Sequence, residues 1–248
     1  MLAFSILAHA LRQLKGNRRA MMRLAVPSFL VSAAIFAVTF GASVAMAMRT
    51  SAGPAAVNFV MWLGILAAIV PFLAMAVAWH RYVLIEEPPR LLGAEQRSAV
   101  LRYVGTGLLM LLIIVPTLFA GAILVGIVFS ARSGGLGLGM FLVGIPLVML
   151  FMAFTLRLSI ALPGAAIGQS RPIRTAWDAT KGRLGCILVI AFVMSVIHNL
   201  PVAIIERVVP GSLGGTAITL VWLWLAGLFQ LSVVTTLWGH FVEGRALR

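Results

Sequence analysis

Six long apolar stretches dominate this sequence, near residues 24–48, 56–80, 103–130, 139–162, 184–205 and 216–239. About 20 helical residues cross a bilayer, so each stretch can span one. Backbone groups inside hydrocarbon must be satisfied within the segment, which makes helices the solution for runs of this length. Apolar residues form 62% of the 248, charged residues 10%, and mean hydropathy is +1.09. Soluble domains hold roughly 45–50% and about 25%, and a soluble fold could not hide so much apolar surface. The sequence predicts an all-α, polytopic membrane helix bundle: six transmembrane helices, as three hairpins, in a single integral membrane domain over 1–248. A soluble enzyme, a disordered chain and a disulfide-rich secreted domain are excluded.

Orientation follows from charge. Of the 19 Lys and Arg, 15 fall in the segments 1–23, 81–102 and 163–183 and the tail 240–248. Only Arg49, Arg132 and Arg207 fall in the short segments 49–55, 131–138 and 206–215, and Arg157 lies in the fourth span. Under the positive-inside rule this bias places both termini on the cytoplasmic side. The net charge of +13 then needs no nucleic acid to explain it. Ala45-Met46-Ala47 fits a signal-peptide cleavage site, but the apolar run from Leu24 is too long for a usual signal core.

Residues 1–21 form a separate element. Phe4, Leu7, Leu11 and Leu14 recur at helical spacing, with Ser5, His9, Arg12 and Gln13 between them. This predicts an amphipathic helix on the cytoplasmic interface. Residues 90–101 and 171–181 are weaker candidates for the same role. Pro172 suits a first helical turn and Trp177 suits interfacial depth.

The chain also reads as a unit repeated three times, over about 1–82, 83–165 and 166–248: interfacial segment, span out, span back. Arg23, Arg102 and Arg183 stand at the entries to odd-numbered spans, 79 and 81 residues apart. Arg81, Arg157 and His240 stand at the returning ends. Units of equal orientation predict a pseudo-threefold axis along the membrane normal, unlike that of inverted-repeat transporters.

Catalytic groups are sparse. Glu86-Glu87 is followed by Pro88-Pro89, and neighbouring carboxylates on an extended stretch point apart, so they offset nearby Arg charge better than they form a dyad. His9, His80, His198 and His240 lack metal-ligand spacing, Cys186 is the one cysteine, and Gly134-Gly135-Leu136-Gly137 follows no strand. The expectation is no enzyme, no metal and no cofactor. Arg157 is the exception to apolar spans. Eighteen residues from Gly139 already cross the membrane, so it is expected at the inner interface, with 158–170 turning along it at Pro163; a buried functional Arg is the alternative. His198, Asn199 and Gln230 suit helix-to-helix hydrogen bonds or, alternatively, a transport site. Pro71, Pro116, Pro146 and Pro201 are expected to kink spans, and Trp62, Trp222 and Trp224 to face lipid or the outer interface. If the repeat holds, Arg81, Arg157 and His240 share one depth and gather an anionic phospholipid headgroup.

Trp79-His80-Arg81-Tyr82-Val83-Leu84 with Glu86-Glu87, Arg157-Leu158-Ser159 with Leu162-Pro163, and Ala176-Trp177 with Thr180-Lys181-Gly182 carry a resemblance. The chain resembles uncharacterised proteobacterial six-span inner-membrane proteins, which are similar to the membrane domain of some bacterial glycerophosphodiester phosphodiesterases. The resemblance implies a link to lipids or the envelope and no catalysis, because the phosphodiesterase chemistry belongs to a soluble barrel absent from this sequence. The expected function is that of a non-enzymatic inner-membrane accessory or scaffold subunit, or a lipid or envelope homeostasis factor. Membrane lipids and other membrane proteins would be its partners. A transporter or channel for a small solute or lipid is the alternative.

The charge bias generates a test of topology. With Cys186 replaced by Ser, a cysteine introduced at Ser133 should react with an impermeant thiol reagent in intact cells. Labelling only after the inner membrane is breached would reverse the orientation.

Overall fold

The computed structural model describes residues 1–49, 53–91, 93–130 and 140–247. The Gly134–Gly137 run, Arg132, Ser133 and Arg248 lie outside the described residues. Helix α1 (Leu2–Gly16) leads into α2 (Arg18–Ala47), α3 (Pro54–Ile85) and α4 (Ala94–Ser130). A π-helical turn, Met140–Gly144, opens α5 (Ile145–Ser159), which continues into the short α6 (Ala161–Ala166) and α7 (Pro172–Ala179). Helices α8 (Leu184–Val208) and α9 (Leu213–Phe241) complete the chain. Six helical stretches are long and apolar enough to cross a membrane. The protein is a multi-pass, all-helical membrane bundle.

Local signals set the helix ends. Pro54 opens α3 in its first turn, and Glu86 closes it in the left-handed conformation (φ 55°), ahead of Pro88-Pro89. Ser212 caps α9, its Oγ accepting the Gly215 N–H at 2.9 Å. Pro172 does stand at the start of α7. Residues 94–101, however, form no separate interfacial helix. They are the first turns of α4, because nothing between Ala94 and Ser130 breaks the helix except Pro116, whose ring bends it. Pro146 is also not a mid-span kink: it occupies the first turn of α5, directly after the π-helical turn. Pro27, by contrast, lies inside α2.

The core collects at the end of the bundle where both termini lie. One cluster joins Ala3, Ile6, Leu7 and Ala10 of α1 to Ile187, Ile190 and Met194 of α8 and Val233, Val234 and Leu237 of α9. The other joins Met21 and Leu24 of α2, Met75 and Trp79 of α3, Ala99 and Tyr103 of α4, and Leu228 and Leu231 of α9. Away from this end the bundle opens. In the most apolar window of α2 and of α4 only 6% of residues are buried, against 33% in α9.

Helix α1 forms over Leu2–Gly16 and packs by its alanine-bearing face. Phe4 and Leu11 remain exposed, while Ala3, Ile6, Leu7 and Ala10 are buried. Alanines at positions 3 and 10 let the backbone of α1 approach α9 closely, as small residues do between membrane helices. Ser232 Oγ reaches the Ala10 carbonyl at 2.9 Å and the Gln13 side-chain amide at 2.8 Å. Both partners are acceptors, the Ala10 carbonyl and Gln13 Oε1, and the one hydroxyl proton is shared between them.

The three sequence units pack unequally. Helices α2 and α3 lie against each other along their length, with Ser32 Oγ donating to the Ala68 carbonyl at 2.7 Å. Helix α4 meets α5 only briefly; it packs against α3 and α6, and α5 packs chiefly against α8. Gly164 of α6 lies under the buried Trp238 ring, where a Cβ would overlap the indole. Gly164→Val should therefore destabilise the bundle by about 1–3 kcal/mol, the usual cost of overpacking. Thermal unfolding in detergent, compared with Gly185→Val at a position with open space around it, measures the difference.

Candidate functional site

Two kinds of polar group occur in this bundle, those with partners inside it and those without. The expected anion-gathering set belongs to the first kind. Arg81, near the end of α3, forms an ion pair with Glu87, with its Nε 2.6 Å from Oε2 and Nη1 donating to the Ala166 carbonyl at 3.0 Å. Glu87 thus balances Arg charge, as the sequence suggests, while Arg81 ties the end of α3 to α6. Arg157 donates from Nε to Thr180 Oγ1 and from Nη2 to the Trp177 carbonyl, both at 2.7 Å. Its guanidinium carbon stands 3.8 Å from the Trp177 ring centroid, a cation–π stack on the planar face. Ile160 keeps a helical backbone (φ −59°, ψ −21°), so the helix runs on past Pro163 to Ala166, and α7 supplies the groups that cover the arginine. Beside it, outside the spans, the Lys181 hydrogen bond holds the Asp178 carboxyl below its usual range, helped by nearby positive charge.

His240 has a third set of partners. Its Nδ1 donates to the Arg245 carbonyl at 3.0 Å. The Arg245 guanidinium bonds the Val83 and Leu84 carbonyls and pairs with Glu243, which accepts the Trp238 indole N–H at 2.9 Å. The tail is clasped onto the end of α3. No hydrogen bond or ion pair joins Arg81, Arg157 and His240 to one another among the described residues.

Sequence reading passes over His80. It is fully buried, its Nδ1 2.8 Å from Thr235 Oγ1 of α9 and its Nε2 3.5 Å from the Tyr103 hydroxyl of α4. Thr235 Oγ1 lies 2.6 Å from the Leu231 carbonyl, to which its proton goes. It therefore accepts from Nδ1–H, and Nε2 is left to accept from Tyr103. One imidazole thus links α3, α4 and α9. The available signal is the flanking run Met75-Ala76-Val77-Ala78-Trp79, apolar on every face and hence buried all round.

Pro201 has a partner too. Proline offers no N–H to the carbonyl four residues earlier, here Ile197, and the indole N–H of Trp222 takes that carbonyl at 3.0 Å. Trp224 packs edge-on against Phe29 and Phe72 at 5.2 and 5.3 Å. These two tryptophans are therefore interhelical rather than lipid-facing, whereas Trp62 is exposed as expected.

The second kind includes Trp79 Nε1 and Thr236 Oγ1, buried without a partner among the described residues, and groups lining a cleft of about 380 Å³ between α5, α8 and α9. His198 and Asn199 enter it from α8, Gln230 from α9, and Thr155 and Ser159 from α5. Thr155 and Ser159 already donate to carbonyls of their own helix, and Asn199 Nδ2 donates to the Ser195 carbonyl at 2.9 Å. His198 and the exposed Gln230 side chain make no hydrogen bond among the described residues. The expected interhelical bonds from these two residues do not form. No protein-family model, curated protein or solved structure matches this chain.

The Pro201–Trp222 pair can be tested directly. Trp222→Phe leaves a carbonyl without a donor in hydrocarbon and should cost about 1–3 kcal/mol. Pro201→Ala restores the missing N–H, so the double variant should recover most of that loss. Thermal unfolding of all four proteins gives the coupling, and additive losses would remove Trp222 from this role.

Proposed function

We propose that this chain is a non-enzymatic membrane protein of the bacterial inner membrane that acts in the bilayer plane as an accessory or scaffold subunit. Its termini face the cytoplasm, where the Lys and Arg of its longer segments meet anionic phospholipid headgroups. The reading rests on one observation: in the most apolar windows of α2 and α4 only 6% of residues are buried, so each span keeps an open apolar face. The faces these two spans leave open offer lateral surface to neighbouring proteins and lipids, while little chain stands outside the membrane. The resemblance to a membrane domain that accompanies a phosphodiesterase barrel points the same way, towards a membrane portion that serves an activity located elsewhere.

The second reading, transport of a small solute or lipid, is favoured by the cleft that holds His198, Asn199 and Gln230. Extraction with the surrounding lipid in polymer discs, followed by native mass spectrometry, separates the two. The scaffold reading expects a second protein at fixed stoichiometry. A solitary chain carrying a bound solute would overturn it in favour of transport.

A further inference from the structure

We propose that the cleft between α5, α8 and α9 is a binding site for an uncharged lipid whose hydrogen-bonding head rests at mid-membrane depth. Depth comes first. At about 1.5 Å per residue, His198 lies about 21 Å from the start of α8 and about 15 Å from its end. Gln230 lies about 25 Å and about 17 Å from the two ends of α9. Both sit well inside hydrocarbon, out of reach of interfacial water.

Charge comes second. No Asp, Glu, Lys or Arg lines the cleft. A phosphate head drawn to this depth would lose its hydration without gaining a countercharge, so phospholipid heads are excluded. Unpaired donors and acceptors come third. The Gln230 amide and the His198 ring have no partner among the described residues, and Asn199 keeps its Oδ1 free while Nδ2 bonds Ser195. Polar groups left bare in hydrocarbon are costly, so a polar guest is favoured there.

The walls complete the site. Phe151, Met152, Leu156 and Met194 are apolar, and the two methionines can mould to a ring or chain. The volume falls within the usual small-molecule range of roughly 300–1,000 Å³. Asn199 and Gln230, which line the cleft, are exposed, so a guest enters from the bilayer and leaves its tail there. Two lipid classes share the required chemistry: prenylated quinones, with carbonyl acceptors, and diacylglycerols, with a hydroxyl and ester carbonyls. The proposal does not depend on the scaffold reading, since a lipid can bind here with or without a protein neighbour.

The full chain in phosphatidylcholine nanodiscs is offered a decyl-substituted benzoquinone, dioctanoylglycerol or dioleoylphosphatidylglycerol, and retained ligand is counted by native mass spectrometry. One of the two neutral probes should bind saturably at one per chain, and which one does identifies the class. Phosphatidylglycerol should not displace it. His198→Leu with Gln230→Leu should weaken binding by about tenfold or more, the loss of two neutral hydrogen bonds. Thr155→Val removes a hydroxyl already engaged within its own helix and should leave binding unchanged. Thermal unfolding checks that each variant folds. The proposal is overturned if neither neutral probe saturates, if phosphatidylglycerol competes equally, or if the folded Leu variant retains its affinity. A loss of self-association in that variant without loss of lipid would instead assign the cleft to a protein helix.

Discussion

Hydrocarbon supplies no hydrogen bonds, and this bundle is arranged around that shortage. Ser28, Thr39, Ser43, Thr117, Thr155 and Ser159 each turn their hydroxyl back to the carbonyl four residues earlier. The same shortage explains the Trp222 bond to Ile197, where a proline has removed the normal donor. It also explains why Arg157 is capped on its face by Trp177 and along its edge by two oxygens. An arginine near a span end reaches the boundary or makes the fold bring oxygens to it. Here α7 brings them.

Interhelical hydrogen bonds and close packing concentrate at the end that holds the termini, although Trp79 Nε1 and Thr236 Oγ1 stay unpaired there among the described residues. Lipid tails are as apolar as leucine, so helices gain little by hiding leucine from lipid and more from close fit and interhelical hydrogen bonds. The buried contacts are accordingly rich in small residues: Ala3 and Ala10 against α9, Gly164 under Trp238, and Ala99 and Ala166 in the second cluster. His80 adds a bond to α9 and another to α4 at the same level. The leucines of α4, such as Leu108, Leu112 and Leu118, have no such reason to pack and stay exposed. At 37 residues α4 is about 55 Å long, longer than the hydrocarbon core, so it must tilt or extend beyond it.

The spans were legible because their signal is additive: twenty apolar residues in a row outweigh any local irregularity. Their ends were less so. Helix α4 starts at Ala94 rather than near 103, since polar residues at an interface continue a helix as readily as they end one. Arg23, Arg102 and Arg183, evenly spaced in sequence, occupy the sixth residue of α2, the ninth of α4 and the residue before α8. Equal spacing therefore does not translate into equal places on the helices. The helix of α1 is legible from its apolar spacing, but that its alanine-bearing face packs on α9 is not, because alanine carries little signal in an apolar chain. Of the polar residues, Arg81, Arg157 and His240 were visible as charges in an apolar text, but their partners are contributed by distant segments. His80 carried the strongest tertiary role with the weakest local signal, a single imidazole in an all-apolar turn.

The contrast between paired and unpaired groups separates structure from function here. A serine bonded to its own helix, or an arginine stacked on tryptophan, is already accounted for by folding. Gln230 is not: leucine at its position would satisfy lipid exposure better, and glutamine gains nothing from the neighbours it has. His198 stands in the same position on the facing helix. Two groups that burden an isolated bundle and line one cleft are best explained by what they meet there. The bundle's open architecture makes such a meeting possible, because a tight bundle would have closed α5, α8 and α9 over the cleft and paired these groups with each other.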